Sequence, residues 1–222
     1  MSAMILVGAV APAFAERLFA EGWAPVELGH FIIPLAASIV AVLASRRMQP
    51  HQRLLKLWTM LLALGCFYIA GEEHSWGQHF FNWQTPESWA AINVQNETNL
   101  HNASAWANHK PRAVIQIGIF VTVIILPVIA MLGALQPLRT RLAPILPQQA
   151  TLLAGASALF WLFYEEARKS LGLPQLVPRE SEAQETFIYL FLLIYALGLL
   201  APGKTRRART EEEVAEDLLL RT

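Results

Sequence analysis

Glutamate and histidine side chains recur at helical spacing in the segment 71–112 of this 222-residue chain. Glu97 and His101 stand four residues apart, so that on a helix they would share one face. A carboxylate and an imidazole on one face can hold a hard or borderline metal ion. A metal ion lowers the pKa of a bound water enough to make that water a nucleophile at neutral pH. The pair therefore predicts a site for metal-assisted or acid–base chemistry.

Two pairs of adjacent glutamates stand at the ends of apolar stretches and are further candidates. Glu72 and Glu73 follow one stretch, and Glu165 and Glu166 follow another. Adjacent side chains on a helix diverge by about 100°, so we expect only one member of each pair to face a site. A carboxylate at the end of an apolar stretch is energetically unfavourable unless it is paired with another polar group or hydrated. These glutamates are therefore expected to take part in a polar site.

Two more pairs have a spacing of three residues. Glu27 and His30 open the first long apolar stretch with the spacing that di-iron carboxylate bundles use. Glu182 and Glu185 precede the last long apolar stretch. Each pair alone is a weak signal, because an ordinary ion pair or hydrogen bond on a helix surface gives the same pattern. A structural network of hydrogen bonds thus stays open beside a metal site.

The composition indicates which class of protein must position these residues. Hydrophobic residues make up 55% of the chain and charged residues 15%, whereas a soluble domain carries about 25% charged residues. The 17 basic and 17 acidic side chains balance, so nothing in the charge points to nucleic acid. The single cysteine, Cys66, lies in an apolar run and excludes a disulfide framework and a thiolate zinc site. The composition favours a membrane protein over a soluble enzyme.

Long apolar stretches predict an all-α polytopic transmembrane helical bundle, because a helix crosses a bilayer with roughly 17–25 mostly apolar residues. We expect five firm spans, at 27–45, 54–70, 113–135, 149–164 and 186–202. Residues 3–20 are a sixth candidate, expected to be a retained helix rather than a cleaved signal because no basic segment precedes them. The transmembrane domain then covers residues 1–203, and residues 204–222 form a charged tail.

Basic residues predict the orientation of these spans, because lysine and arginine accumulate in cytoplasmic loops. The segments 45–56, 136–148 and 204–209 are basic, and the predicted spans place all three on one side. The tail is then cytoplasmic, and the segment 71–112 lies on the outer, periplasmic face as an interfacial helix and turns. Glutamates and histidines from four different connections also fall on that face, which is where we expect a polar site.

The segment 71–112 also carries a long motif. It consists of Glu72-Glu73-His74-Ser75-Trp76-Gly77-Gln78, Thr85-Pro86-Glu87 and Asn96-Glu97-Thr98-Asn99-Leu100-His101-Asn102. These residues resemble a family of small multi-pass bacterial inner-membrane proteins with the pattern E-E-x-S-W-G-Q, T-P-E and E-T-N-L-H-N. The resemblance implies a bacterial inner-membrane location and a site in this segment, and it implies no reaction. His74 and His79 depart from the family pattern. The candidates that the resemblance implies are therefore Glu72, Glu73, Gln78, Glu97, Asn99, His101 and Asn102.

The first functional hypothesis is metal-dependent chemistry on a lipid or lipid-linked substrate at the outer interface. The candidate catalytic residues are Glu72, Glu73, Glu97, His101 and Glu166. The candidate ligands of a divalent metal ion are Glu73, Glu97, His101 and Glu165. In this hypothesis a glutamate outside the metal shell acts as general acid or base.

The second hypothesis is a non-catalytic subunit, or a component of a membrane complex that binds a cofactor or pigment. In that case His30 is the candidate axial ligand of a haem. A transporter is the third hypothesis, and it is the weakest because the glutamates collect at one end of the spans rather than at the midplane. The sequence leaves open whether the chain is an enzyme.

Overall fold

A computed structural model describes residues 1–20, 24–93, 95–100, 102–103, 105–131 and 145–201. These residues form helices and turns and contain no strand. The helices are α1 (Ser2–Val10), α2 (Pro12–Leu18), α3 (Pro25–Arg47), α4 (Arg53–Glu73), α5 (Gln78–Phe81), α6 (Glu87–Ala90), α7 (Ala105–Phe120), α8 (Leu126–Met131), α9 (Gln149–Leu171) and α10 (Glu180–Leu200). The π-helical turn Val121–Ile125 joins α7 to α8. His101, most of the basic segment 136–148 and the tail 204–222 lie outside the described residues.

Within the described residues, four helices are long and apolar enough to cross a membrane. They are Pro25–Arg47, Arg53–Glu73, Pro111–Ile129 and Glu180–Leu200. The corresponding predicted spans are 27–45, 54–70, 113–135 and 186–202. The prediction of an all-helical protein is confirmed for the described residues, and the four helices indicate association with a membrane.

The other two predicted spans fall on helices of a different kind. Residues 149–164 belong to α9, which continues for two turns through the charged residues 165–169 and ends at Gly172 in the left-handed conformation. Residues 3–20 form two short helices, α1 and α2, separated by a break at Ala11. At 1.5 Å per residue, neither α1 nor α2 alone reaches across a hydrocarbon layer of about 30 Å. A fifth and a sixth span therefore stay predictions, as does the division into domains.

Small residues pack the central helices against one another. Ala37 and Ala41 of α3, Ala63 of α4 and Ala196 of α10 are all fully buried. Small side chains allow helix backbones to approach closely, which is how helices associate where no water drives them together. The hydroxyl of Ser38 donates a 2.8 Å hydrogen bond to the carbonyl of Ala63, which links α3 to α4.

The antiparallel course of the helices brings several polar termini to one end of the bundle. A short turn joins α3 to α4, so Glu73 at the end of α4 lies beside the start of α3. The first turns of α10 reach the same place, because Glu182 and Glu185 contact His30 of α3. Arg112 of α7 contacts Glu185 there as well. We call this part of the molecule the Glu73 end.

Candidate functional site

A buried histidine is surrounded by three carboxylates at the Glu73 end. His30 is 1% exposed. Its Nδ1 atom lies 3.2 Å from Oε2 of Glu182, 3.7 Å from Oε2 of Glu73 and 3.8 Å from Oε2 of Glu185. These four residues are called the His30 cluster below. Because these four residues come from three different helices, the packing of α3, α4 and α10 is what assembles the cluster.

The hydrogen bonds of Thr186 define which nitrogen of His30 carries a proton. The Thr186 hydroxyl donates to the carbonyl of Glu182 at 2.9 Å, which uses its only proton. Its oxygen lies 2.9 Å from Nε2 of His30 and must therefore accept from that nitrogen. In the neutral ring Nδ1 is then the unprotonated nitrogen. Nδ1 is buried and makes no hydrogen bond within the described part of the chain.

Each carboxylate of the His30 cluster is anchored through one oxygen and presents the other to His30. All three Oε2 atoms face Nδ1, while all three Oε1 atoms accept from a protein donor. Such outer partners fix the orientation of metal-ligating carboxylates in known metal sites. The donors are the Tyr189 hydroxyl to Glu73 at 2.7 Å, Arg112 to Glu185 at 2.6 Å and Arg179 to Glu182 at 2.8 Å.

Three members of the His30 cluster have the geometry to hold a metal ion. His30, Glu73 and Glu185 each offer one ligand atom, and these atoms all lie within 4.8 Å of one another. A nitrogen and two carboxylate oxygens suit a divalent transition metal or zinc. Three protein ligands leave coordination positions open for water or a substrate, as in catalytic rather than structural zinc sites.

A cavity of about 540 Å³ adjoins the His30 cluster. The helical part of its lining includes Glu73, Glu182, Glu185, Arg112, Arg179 and Tyr189. The opposite part comes from the segment 74–103, which is called the cap below, and includes His79, Gln95, Glu97 and Asn102. The cavity is large enough for a small polar group, and the carboxylates of the cluster are accessible from it.

Glu72 fastens the cap to α4. Its Oε1 accepts from the Trp76 indole N–H at 2.7 Å, and its Oε2 accepts from the backbone N–H of Leu100 at 2.7 Å. The side chain is 4% exposed. Both oxygens are therefore used to hold two distant parts of the cap, and Glu72 is placed as a structural residue.

Glu97 is held inside the cap by several donors. Its Oε2 accepts from Ser75 at 2.8 Å and from the side-chain amide of Asn99 at 2.6 Å, and its Oε1 lies 3.2 Å from Nε2 of His79. Ser75 also lies 3.2 Å from the same nitrogen of His79. A catalytic triad needs the carboxylate and the hydroxyl on opposite ring nitrogens, and an accessible hydroxyl. Ser75 is fully buried, so these residues do not form a triad.

The cap is internally cross-linked and locally strained. Gln78 accepts from the backbone N–H of Thr98 at 2.8 Å and donates to Thr85 at 2.8 Å. The side-chain amide of Asn93 donates to Asn99. Positive φ angles at non-glycine residues cost about 1–2 kcal/mol each, and within the described residues they occur only in the cap. They are found at Ser75, Trp76, Asn82 and Asn96.

His74 occupies an apolar place beneath the cap. Its ring centroid lies 3.9 Å from that of Phe80 and 5.0 Å from those of Phe31 and His79. Burial lowers the pKa of His74 below its usual value, and the neighbouring His79 lowers it further, while Glu97 offsets part of the effect. His74 is thus held as a neutral, packed ring.

The sequence-predicted site residues divide into three groups in the structure. Glu73 belongs to the His30 cluster, while Glu72 and Glu97 line the same cavity from the cap side. Glu165 and Glu166 form ion pairs with Lys169 along α9, and neither belongs to the described lining of the cavity. His101 lies outside the described residues, so its predicted pairing with Glu97 is untested.

The sequence predicted His30, Glu182 and Glu185 as parts of pairs but placed none of them among the ligands of a divalent metal ion, and His30 was a candidate only as a haem ligand. Arg112 was missed. The signal that could have found them is their position, since all four are ionisable residues near the end of an apolar span.

Comparison of the chain with protein-family models, with curated proteins and with solved structures finds no match. The interpretation of the site therefore depends on its own chemistry.

Proposed function

We propose that this chain is a multi-pass membrane protein that binds a divalent metal ion in the His30 cluster and uses it for chemistry on a lipid or lipid-linked substrate. The observation that carries the proposal is the state of His30 Nδ1. This nitrogen is buried, lacks a hydrogen bond within the described residues and faces three carboxylate oxygens.

A lone pair facing three negative charges is unfavourable unless something positive lies between them. The two solutions are a second proton on the imidazole and a metal ion. His30, Glu73 and Glu185 would hold a metal ion, and the Nε2 proton bonded to Thr186 would keep the imidazole ring oriented with Nδ1 toward it. A protonated imidazole satisfies the same charges without a metal, so the proposal is decided by measuring the metal.

The residues around the ligands can support a hydrolytic or transfer reaction. A bound metal supplies Lewis acidity and a water of lowered pKa. Glu182 has its Oε2 nearest to His30 Nδ1 but lies outside the ligand group, so we assign it as the candidate general base. Glu72 and Glu97 then serve by holding the cap over the cavity.

The substrate and the location follow from the position of the cavity. It lies where four membrane-compatible helices end or begin, so a lipid in the bilayer reaches it with its headgroup. From the distribution of basic residues we propose that the Glu73 end faces the periplasm of a bacterial inner membrane.

The test is elemental analysis by mass spectrometry on detergent-purified protein, prepared without chelator and after incubation with zinc, manganese or iron. We expect about one metal ion per chain in the wild type. His30→Gln, Glu73→Gln and Glu185→Gln should each lose it. The matched control is Glu87→Gln, because Glu87 is exposed and lies outside the described lining of the cavity.

A folded, monodisperse wild type that takes up none of these metals would overturn the metal-dependent function. It would mean that His30 is an imidazolium in a structural network. The alternative, a non-catalytic component of a membrane complex, would then account for the site, and co-purifying partners would be the next measurement.

A further inference from the structure

We propose that the metal-loaded cavity binds a phosphate group between the metal ion and the guanidinium groups of Arg112 and Arg179. This inference rests on the proposed function and adds the chemical class of its substrate. Both arginines line the cavity, and each is joined to one carboxylate of the His30 cluster.

The two arginines lie beside the proposed metal ion. Arg112 contacts Glu185, and Arg179 contacts Glu182, and both glutamates lie within 3.8 Å of His30 Nδ1. Each guanidinium is therefore held beside the proposed metal by a carboxylate that also faces His30. Arginine is the residue that proteins use to bind phosphate with a fixed, planar set of donors.

Arg112 has N–H donors beyond those that its contacts with described residues use. Its Nη1 atom contacts Glu185, and its Nη2 atom donates to the side chain of Gln184 and to the carbonyl of Ser181. An arginine has five N–H donors, and these contacts with described residues use three of them. The side chain is 26% exposed, so the remaining donors are not all enclosed by protein.

Charge links the two binding events. The described lining of the cavity contains six carboxylates and two guanidinium groups, those of Glu27, Glu72, Glu73, Glu97, Glu182, Glu185, Arg112 and Arg179. A divalent ion lowers the net negative charge of this lining by two. A phosphate group should therefore bind the metal-loaded cavity better than the empty one.

The number of acceptor atoms favours phosphate over a carboxylate ligand. A metal ion and two guanidinium groups make three positive groups. A carboxylate ligand has only two oxygens, whereas a phosphate monoester has three unesterified oxygens and can serve all three. Phosphate is thus the simplest group that satisfies the whole arrangement.

The wall of the cavity also has an apolar part. Ile69, Ile115 and Ile188 line it on α4, α7 and α10, the three helices that would lie in the membrane on that side. A ligand with a phosphate headgroup and an acyl chain matches this division between polar and apolar lining. A water-soluble phosphate ester uses the same polar contacts and none of the apolar ones.

The experiment measures binding by isothermal titration calorimetry in dodecyl maltoside, a detergent that carries no phosphate. The probes are inorganic phosphate, glycerol 3-phosphate and dioctanoyl phosphatidic acid, with dioctanoylglycerol as the phosphate-free control. We expect the phosphate probes to bind the metal-loaded protein, and the chelated protein to bind at least about tenfold more weakly. Tighter binding of phosphatidic acid than of glycerol 3-phosphate identifies a lipid as the source, and equal binding identifies a soluble ester.

The arginine variants test the inference apart from the metal. Arg112→Gln and Arg179→Gln, compared with the wild type at a metal concentration that fills the site in all three proteins, should lose about tenfold or more in phosphate affinity. Arg112→Gln should also bind the metal more weakly, because Arg112 anchors the ligand Glu185. Arg112→Lys keeps the charge but loses the planar set of donors, so we expect an intermediate affinity for phosphate. This variant replaces Arg112→Gln in the test if Arg112→Gln fails to fold. Arg53→Gln is the matched control, because Arg53 is exposed at the opposite end of α4.

The outcomes separate the two proposals. A wild type without metal contradicts the proposed function, whatever the calorimetry gives. A wild type that holds metal but binds no phosphate probe, or binds it equally well in Arg112→Gln and Arg179→Gln, overturns the phosphate inference and leaves the metal function standing.

Discussion

Glu72 and Glu73 are neighbours in sequence, yet they belong to two regions built on opposite principles. In the cap, both oxygens of Glu72 accept hydrogen bonds from protein N–H groups. In the His30 cluster, one oxygen of Glu73 accepts from Tyr189 and the other faces a histidine nitrogen and two further carboxylates. A dense sequence motif can thus mark a structural hydrogen-bond network, while the carboxylates that face His30 Nδ1 lie beside it.

The largest expected effect is on stability, in Glu72→Gln. The amide oxygen can accept from only one of the two donors, and the amide N–H₂ group then faces the other donor. The variant loses a charge-assisted hydrogen bond and leaves a buried N–H donor without an acceptor. We therefore expect the free energy of unfolding to fall by about 2–3 kcal/mol. Thermal unfolding in detergent measures it, and limited proteolysis should show cleavage within residues 74–103.

Glu73→Gln is the matched partner of that variant and should behave in the opposite way. The amide oxygen of the variant can still accept from Tyr189. Its amide N–H₂ group can donate to His30 Nδ1, whereas the carboxylate of the wild type places a negative charge beside the lone pair of that nitrogen. We expect metal binding to be lost and the stability of the metal-free protein to be unchanged or higher. A destabilisation as large as that of Glu72→Gln would show that the two regions do not differ in the way proposed.

The next effect concerns a buried amide in the cap, Asn99, which is 1% exposed. Its side-chain N–H₂ group donates to Ser75 and Glu97, and its oxygen accepts from Asn93. Asn99→Ala leaves these partners unsatisfied and should cost about 2 kcal/mol of stability. Metal content should stay that of the wild type, because Asn99 contacts no member of the His30 cluster within the described residues. Loss of metal in a folded Asn99→Ala would contradict the separation of the two regions.

Most of the helices were predictable from the sequence. The four membrane-compatible helices follow from apolar stretches long enough to span a bilayer, and the structure has them at nearly the predicted residues. The break at Ala11 was not predicted, because Pro12 is equally compatible with the first position of a new helix and with a kink.

The candidate site was predicted only in part, for a physical reason. Spacing along the chain identifies neighbours on one helix, such as Glu182 and Glu185, but the metal group joins His30, Glu73 and Glu185 from three helices. Their proximity depends on how small residues pack α3 against α4 and α10. The sequence motif also predicted Glu97 as a metal ligand. In the structure its carboxylate accepts hydrogen bonds from Ser75 and Asn99 of the cap.

A smaller effect is the pH dependence of the cap through His74, whose pKa burial and His79 hold below the usual 6.5. Below that pH the unfolded chain binds a proton that the folded ring resists, so stability falls as the pH drops through 6.5 and levels off below the folded pKa. The contribution of His74 to the melting temperature should therefore decrease as the pH is lowered through 6.5. His74→Phe keeps an aromatic ring against Phe80 and should reduce the change of melting temperature with pH. If that change is the same in the variant and the wild type, the pH dependence comes from other groups.

The smallest effect is expected on α9, where Glu165 and Glu166 were predicted as a metal ligand and a catalytic residue. Both pair with Lys169, at 2.9 and 3.4 Å, and Glu166 is 68% exposed. Exposed ion pairs of this kind contribute little to stability. Glu165→Gln and Glu166→Gln should therefore leave the melting temperature and the metal content unchanged. If either variant loses metal while Glu73→Gln keeps it, the metal is held at α9 rather than in the His30 cluster, and the assignment of ligands must be reversed.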